Sequence, residues 1–206
     1  MEVVKKLEKK IIELYKDHSV KLPFHGIHHV LFVYEKSKVF ATDLKADLYL
    51  VSLASLTHDL NYLVKLNSTA ESGKVLRQQL LLDFKVNEID IQAIEKIIFQ
   101  ASTINRTMDI CNEAKALSDA DTLYKALPIT PVVFASLYAN EQKMHLKDLA
   151  KKIVTEQKTL MDKDIYFYSR TAFKYLDWAK VNLSLWENVL EYFETEDYSM
   201  FNDFIA

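Results

Sequence analysis

Leu53-Ala-Ser-Leu-Thr-His-Asp-Leu-Asn-Tyr62 sets two adjacent polar residues, His58 and Asp59, inside an apolar run of helical character. Upstream lies a histidine cluster, His25-Gly-Ile-His-His29, and downstream an acidic pair in another apolar stretch, Leu117-Ser-Asp-Ala-Asp-Thr-Leu123. Burying such groups is expensive unless they pair or bind a cation. The simplest explanation is a divalent metal held by two imidazoles and two carboxylates. Such an ion activates water and polarises phosphoryl oxygens, so it also implies a reaction.

Composition supports a helical setting. Of 206 residues, half are hydrophobic, while Gly (2) and Pro (3) are very scarce. Strand-rich folds need more turn formers, so an all-α fold is expected. Gly26 and Gly73 cannot supply a glycine-rich phosphate loop. The net charge of −3 is spread along the chain and makes no electrostatic case for duplex nucleic acid, while a small nucleic-acid substrate stays open. Cys111 is the lone cysteine, so no intrachain disulfide forms. The charged start, Met1 to Lys10, lacks a signal core, and no stretch is long and apolar enough to span a bilayer. A soluble cytoplasmic protein is the expectation.

Periodicity places a first helix over about 2–17, with Val4, Leu7, Ile11, Leu14 and Tyr15 on one face. A loop from His18 to Gly26 precedes a helix from about Ile27 to Ala41. A third, about 44–65, carries the His–Asp pair near its end. Ser68 with Glu71 forms a possible capping box for a helix to about Phe84. Asn87 caps the next, whose apolar side reads Ile89, Ala93, Ile94, Ile97 and Ile98. Asp119 and Asp121 lie in a helix of about 112–126, stopped by Pro128. Thr130-Pro131 reads as an N-cap followed by proline at the first helical position. The last third, about 145–192, is helical and rich in Tyr, Phe and Trp, either as core or as a docking surface. One domain, 1–206, is expected, with a metal-binding core of about 20–130 and a C-terminal helical extension of about 131–206.

Helical geometry puts Asp121 and Lys125 one turn apart, so Lys125 would sit beside a metal bound to Asp121. Each feature also has a bland reading: a buried structural His–Asp pair, a local Asp–Lys ion pair, capping histidines. An all-α protein with coincidental histidines would bind no stoichiometric metal.

His29, then His58-Asp59, then Asp-Ala-Asp-Thr-Leu resembles the HD superfamily of metal-dependent phosphohydrolases over roughly residues 20–130. The resemblance implies an HD-domain helical bundle and metal ligands His29, His58, Asp59 and a downstream aspartate. Asp121 is the choice, because Ala120-Asp121-Thr122-Leu123 is most similar to the family's Ala-Asp-x-Leu segment. Asp119 is the alternative. Phe24-His25-x-x-x-His29 resembles segments in which the earlier histidine, here His25, is a proposed proton donor. Glu71-Ser72 resembles a segment of a bacterial branch in which Glu71 would orient water. Gly26 departs from the phosphodiesterase branch, which has Asn there. Asn61-Tyr62 replaces the Glu-Asp pair of the guanosine polyphosphate hydrolases and disfavours that substrate. No histidine lies between Asp59 and Asp119, which favours a mononuclear site.

These readings lead to a metal-dependent phosphoric ester hydrolase acting on a nucleotide or small phosphorylated metabolite. One divalent ion (Mn, Fe, Co, Ni, Zn or Mg) suits the His and Asp ligands. Asp59 or Asp121 would accept the water's proton, His25 would protonate the leaving oxygen, and Lys125, helped by Arg77 or Lys74, would neutralise phosphate charge. The alternative is a catalytically silent regulatory or nucleotide-binding module of the same fold.

Overall fold

A computed structural model describes residues 2–18, 20–64 and 70–195. The chain is all-α, with no strand among the described residues. Helix α1, Glu2–Lys16, buries Val4, Leu7, Ile11 and Tyr15 along the face its periodicity requires. Helix α2, Ile27–Leu44, starts at Gly26, so His25 precedes it and His29 lies in its first turn.

Helix α3, Leu48–Thr57, is capped by Asp47, whose side chain accepts the N–H groups of Tyr49 and Leu50. Every residue from Val51 to Thr57 is buried. A helix apolar all round belongs at the centre of a bundle. Helix α3 accordingly packs against α1, α2, α6 (Glu88–Ala101) and α7 (Asn112–Ala126). The expected helix of about 44–65 is therefore shorter and broken. Thr57 ends it, His58 caps it, Asp59 lies in a turn, and α4 resumes at Asn61–Val64.

A 3-10 turn, Ala70–Gly73, leads into α5, Lys74–Asp83. Ser68 of the expected capping box lies outside the described residues. Asn87 caps α6 by accepting the Asp90 N–H at 2.9 Å, as its sequence suggested. Ile89, expected on the apolar side, is 80% exposed. The buried stripe instead runs through Ile91, Ile94, Ile97, Ile98 and Ala101, in phase with the helical period. Arg77 points away from any phosphate role: it is buried, and its Nε donates to Glu95 Oε1 at 2.8 Å. Lys74 pairs with exposed Glu71 at 3.1 Å.

After α7, the residues Thr130–Phe134 form a wide π turn continued by α8, Ala135–Gln142. Ile129, not Thr130, occupies the N-cap; the Thr130 hydroxyl donates to the Tyr124 carbonyl at 2.7 Å instead. The C-terminal third is interrupted: α9 is Leu146–Asp162, α10 is Arg170–Phe173 and α11 is Leu176–Thr195. The stretch between α9 and α10 buries Tyr166 and Phe167 in the main core. A smaller apolar cluster, Ala135, Leu149, Ala150 and Trp186, joins α8, α9 and α11.

Two buried polar side chains fasten this extension to α7. Asn182 donates to the carbonyls of Ala126 and Leu127, each at 3.0 Å. Asp119, fully buried, accepts the backbone N–H groups of Tyr168 and Ser169, each at 2.8 Å. Replacing Asp119 with Ala leaves two buried donors without acceptors, at about 1–3 kcal/mol apiece. Asp119→Ala is therefore expected to lower unfolding free energy by about 2–6 kcal/mol in urea denaturation. A loss below about 0.5 kcal/mol would show that the fastening carries no weight.

Candidate metal centre

Three chain segments converge where α2, the end of α3 and α7 pack together. His29, His58 and Asp121 each bring a ligand atom within 4.8 Å of the others. The imidazole Nε2 atoms of His29 and His58 are 3.3 Å apart. Asp59 Oδ2 lies 3.1 Å from His29 Nε2 and 3.2 Å from His58 Nε2. Asp121 Oδ1 lies 3.6 Å from His29 Nε2. Donors held about 2.1 Å from one ion stand about 3.0–3.5 Å apart in octahedral or tetrahedral arrangements. The observed separations are close to that range.

Local structure explains how each donor is aimed. His58 keeps helical dihedrals at the end of α3, and its Nε2 and the Asp59 carboxylate of the following turn approach to 3.2 Å. The Ser55 carbonyl lies 2.8 Å from His58 Nδ1. A carbonyl only accepts, so Nδ1 carries the proton and Nε2 can offer its lone pair to the cluster. Tyr15 of α1 donates to the Asp59 carbonyl at 3.2 Å and steadies the turn. The His29 ring is held edge-on against Tyr124, at 4.6 Å between centroids.

The electrostatics of the cluster are those of a group that could hold a cation. Asp59 Oδ2 is buried and accepts no hydrogen bond, although two imidazole nitrogens face it. Burial pushes the Asp59 carboxyl up, but the His58 and His29 charges outweigh this and hold it well below the usual range. Burial likewise raises the Asp121 carboxyl, and Lys125 with the two histidines more than reverses the effect. Burial lowers both imidazoles. In His29 it prevails; in His58 the neighbouring Asp59 charge raises the net value.

Asp121 divides its work. Its Oδ1 faces the histidines, while Oδ2 accepts from Lys125 Nζ at 2.7 Å and lies 3.7 Å from an Arg106 guanidinium nitrogen. Arg106 is buried and donates to the Ala101 carbonyl and the Thr122 hydroxyl. Asp119, the alternative ligand, faces α10 and is absent from the cluster. Lys125 stands beside the cluster as its spacing suggested, whereas Arg77, Lys74 and exposed Glu71 do not.

His25 sits next to the cluster. Its ring stacks on Tyr62 at 3.7 Å between centroids. Its Nδ1 hydrogen-bonds a Glu141 carboxylate oxygen; the other oxygen accepts the backbone N–H groups of Phe24 (2.9 Å) and His25 (3.0 Å). Sequence reasoning missed Glu141 and Arg106. Neither lies in a motif, and Glu141 reaches His25 across 116 residues through the extension.

No protein-family model matches the chain, and neither does any curated protein. A structural-genomics crystal structure of a Lactobacillus plantarum protein is similar, with a TM-score of 0.65 at 17% sequence identity. The match covers 94% of this chain and 96% of that one. At this identity the likeness concerns the fold alone.

Burial raises the Glu141 carboxyl, but its bonds from His25 and Phe24 outweigh this and leave it below 4.5. A depressed carboxylate stabilises the folded state above its unfolded value and loses that contribution as the pH falls through its folded value. Glu141→Gln is therefore expected to be less stable than wild type at neutral pH, with the gap narrowing below pH 4.5. Thermal melts across pH check this; a gap constant down to acid pH would contradict it.

Proposed function

We propose that this chain is a metal-dependent phosphohydrolase of HD-superfamily type, acting on a phosphomonoester or phosphodiester of a nucleotide or similar small metabolite. The observation that carries this reading is the convergence of two imidazole nitrogens and two carboxylates at metal-ligand spacing beside a cleft of about 190 Å³. The Asp59 and Asp121 side chains keep 14% and 21% exposure, so the cluster is open on one side. A structural metal site more often closes its shell with protein groups.

His29, His58, Asp59 and Asp121 would hold one divalent ion. When bound, that ion would lower the pKa of a coordinated water and polarise a phosphoryl oxygen. Asp59 or Asp121 would accept the water's proton. Lys125 borders the same cleft, and its ammonium would offset phosphate charge. Glu141 holds His25 Nδ1, leaving Nε2 as the ring nitrogen able to give a proton to the leaving oxygen. His25 borders the cleft, which suits that role.

Metal-stripped protein, resupplied with each divalent ion, is expected to release phosphate or a phosphomonoester from members of a panel of nucleotides and generic phosphoesters. The His58→Ala/Asp59→Ala double variant should release none. His25→Gln should keep its bound ion while kcat falls about 10²–10⁴-fold. Wild-type release no greater than that of the double variant, with every ion, would contradict the reading and favour the regulatory module.

A further inference from the structure

We propose that a second cleft, beyond His25 and Tyr62, binds one planar heteroaromatic ring system with both a hydrogen-bond acceptor and a donor on its edge. As the place for the organic part of a phosphoester, this assignment rests on the phosphohydrolase reading; as a binding site it stands apart from it.

The two clefts are continuous in their lining. His25, Tyr62 and Lys125 border both the space over the metal centre and the second cleft, which holds about 230 Å³ between the core and the extension. A ligand whose phosphate meets Lys125 therefore has its remainder directed there. An apolar cavity of about 150 Å³ holds benzene. The second cleft thus accommodates one or two fused rings.

Its walls favour a flat partner. Tyr62, Tyr138 and Trp186 line it with aromatic surface. Its polar lining includes Thr103, Thr130, the Lys152–Glu156 ion pair and two buried amides, Gln157 and Asn182. Gln157 is 8% exposed, and its Oε1 is occupied by the Tyr166 hydroxyl. That fixes the amide and leaves Nε2, which donates to nothing among the described residues. Asn182 is likewise 8% exposed. Its bonds to the Ala126 and Leu127 carbonyls both use Nδ2 and leave Oδ1 as the remaining acceptor. These two amides therefore give the cleft one oriented donor and one oriented acceptor beside its charged pair. A site built this way rewards a ligand that satisfies both groups and rejects one that leaves them unpaired.

Trp186 supplies a reporter independent of turnover. The chain has two tryptophans, and Trp178→Phe leaves Trp186 as the sole tryptophan, excited selectively at wavelengths where tyrosine does not absorb. In that background, emission would be titrated with adenosine, guanosine, cytidine and uridine, and with nicotinamide and pterin as non-nucleoside rings. Ribose and benzyl alcohol would serve as controls. Gln157→Glu keeps an oxygen for Tyr166 but removes the amide donor, so the local bond survives while the recognition is inverted. The expected result is saturable quenching by at least one heteroaromatic ring, weakened about tenfold or more in Gln157→Glu, with neither control saturating. The ring that binds tightest separates a nucleobase from another heterocycle. No saturable quenching, equal affinity in Gln157→Glu, or equal binding of benzyl alcohol would overturn the proposal. These probes carry no phosphate. Binding without any phosphate release would sink the hydrolase reading and leave the cleft's assignment standing. Hydrolysis with no preference for heteroaromatic phosphoesters over ribose 5-phosphate would do the reverse.

Discussion

Everything in this protein is arranged around two imidazole nitrogens that face each other at 3.3 Å in a largely buried place. Neutral nitrogens with inward lone pairs repel, and unpaired carboxylates in low dielectric cost several kcal/mol. Positive charge between them relieves both penalties. In the bare side chains, the neighbouring Asp59 charge raises the basicity of His58 despite burial. A divalent ion meets the same need with all the donors at once. The bundle maintains this arrangement through α3, whose residues Val51 to Thr57 are all buried among α1, α2, α6 and α7.

The scarcity of glycine acquires a meaning in this setting. Both glycines sit at the borders of the site, and both act through close approach. A Cβ on Gly26 would stand 2.5 Å from the Leu22 carbonyl oxygen; one on Gly73 would stand 2.6 Å from the Asn61 nitrogen. Gly26 lets the chain turn tightly between His25 and His29. Gly73 lets the start of α5 press against the residue two places beyond Asp59. The C-terminal extension contributes in a different way. It delivers Glu141 to His25, and its own attachment runs through Asp119 and Asn182 on α7 and α11.

Much of this was legible in the amino-acid order, because it follows from periodicity and from the cost of buried charge. The bounds of α7 match their expectation, and with them the placement of Asp121 and Lys125. Asp119 and Asp121 separate cleanly for a geometric reason: two residues apart on a helix, they face different neighbours. The break at His58 was not legible. Leu53 to Tyr62 is apolar enough to continue as a helix, and the interruption shows only once the His58 ring meets the Ser55 carbonyl. Arg77 could not be told from a solvated arginine, since its partner Glu95 comes from another helix. Glu141 was invisible for the same reason on a larger scale, as tertiary contact alone brings it to His25.

The account stands on the four donors acting as one coordination shell. X-ray absorption at the metal edge, on metal-stripped protein reloaded with manganese or cobalt, tests this most directly. The account predicts about one tightly held ion per chain whose spectrum contains scattering from two imidazoles together with oxygen ligands, and loss of that imidazole signature in His29→Ala or His58→Ala. An ion bound without imidazole scattering, or no ion retained at all, would contradict it.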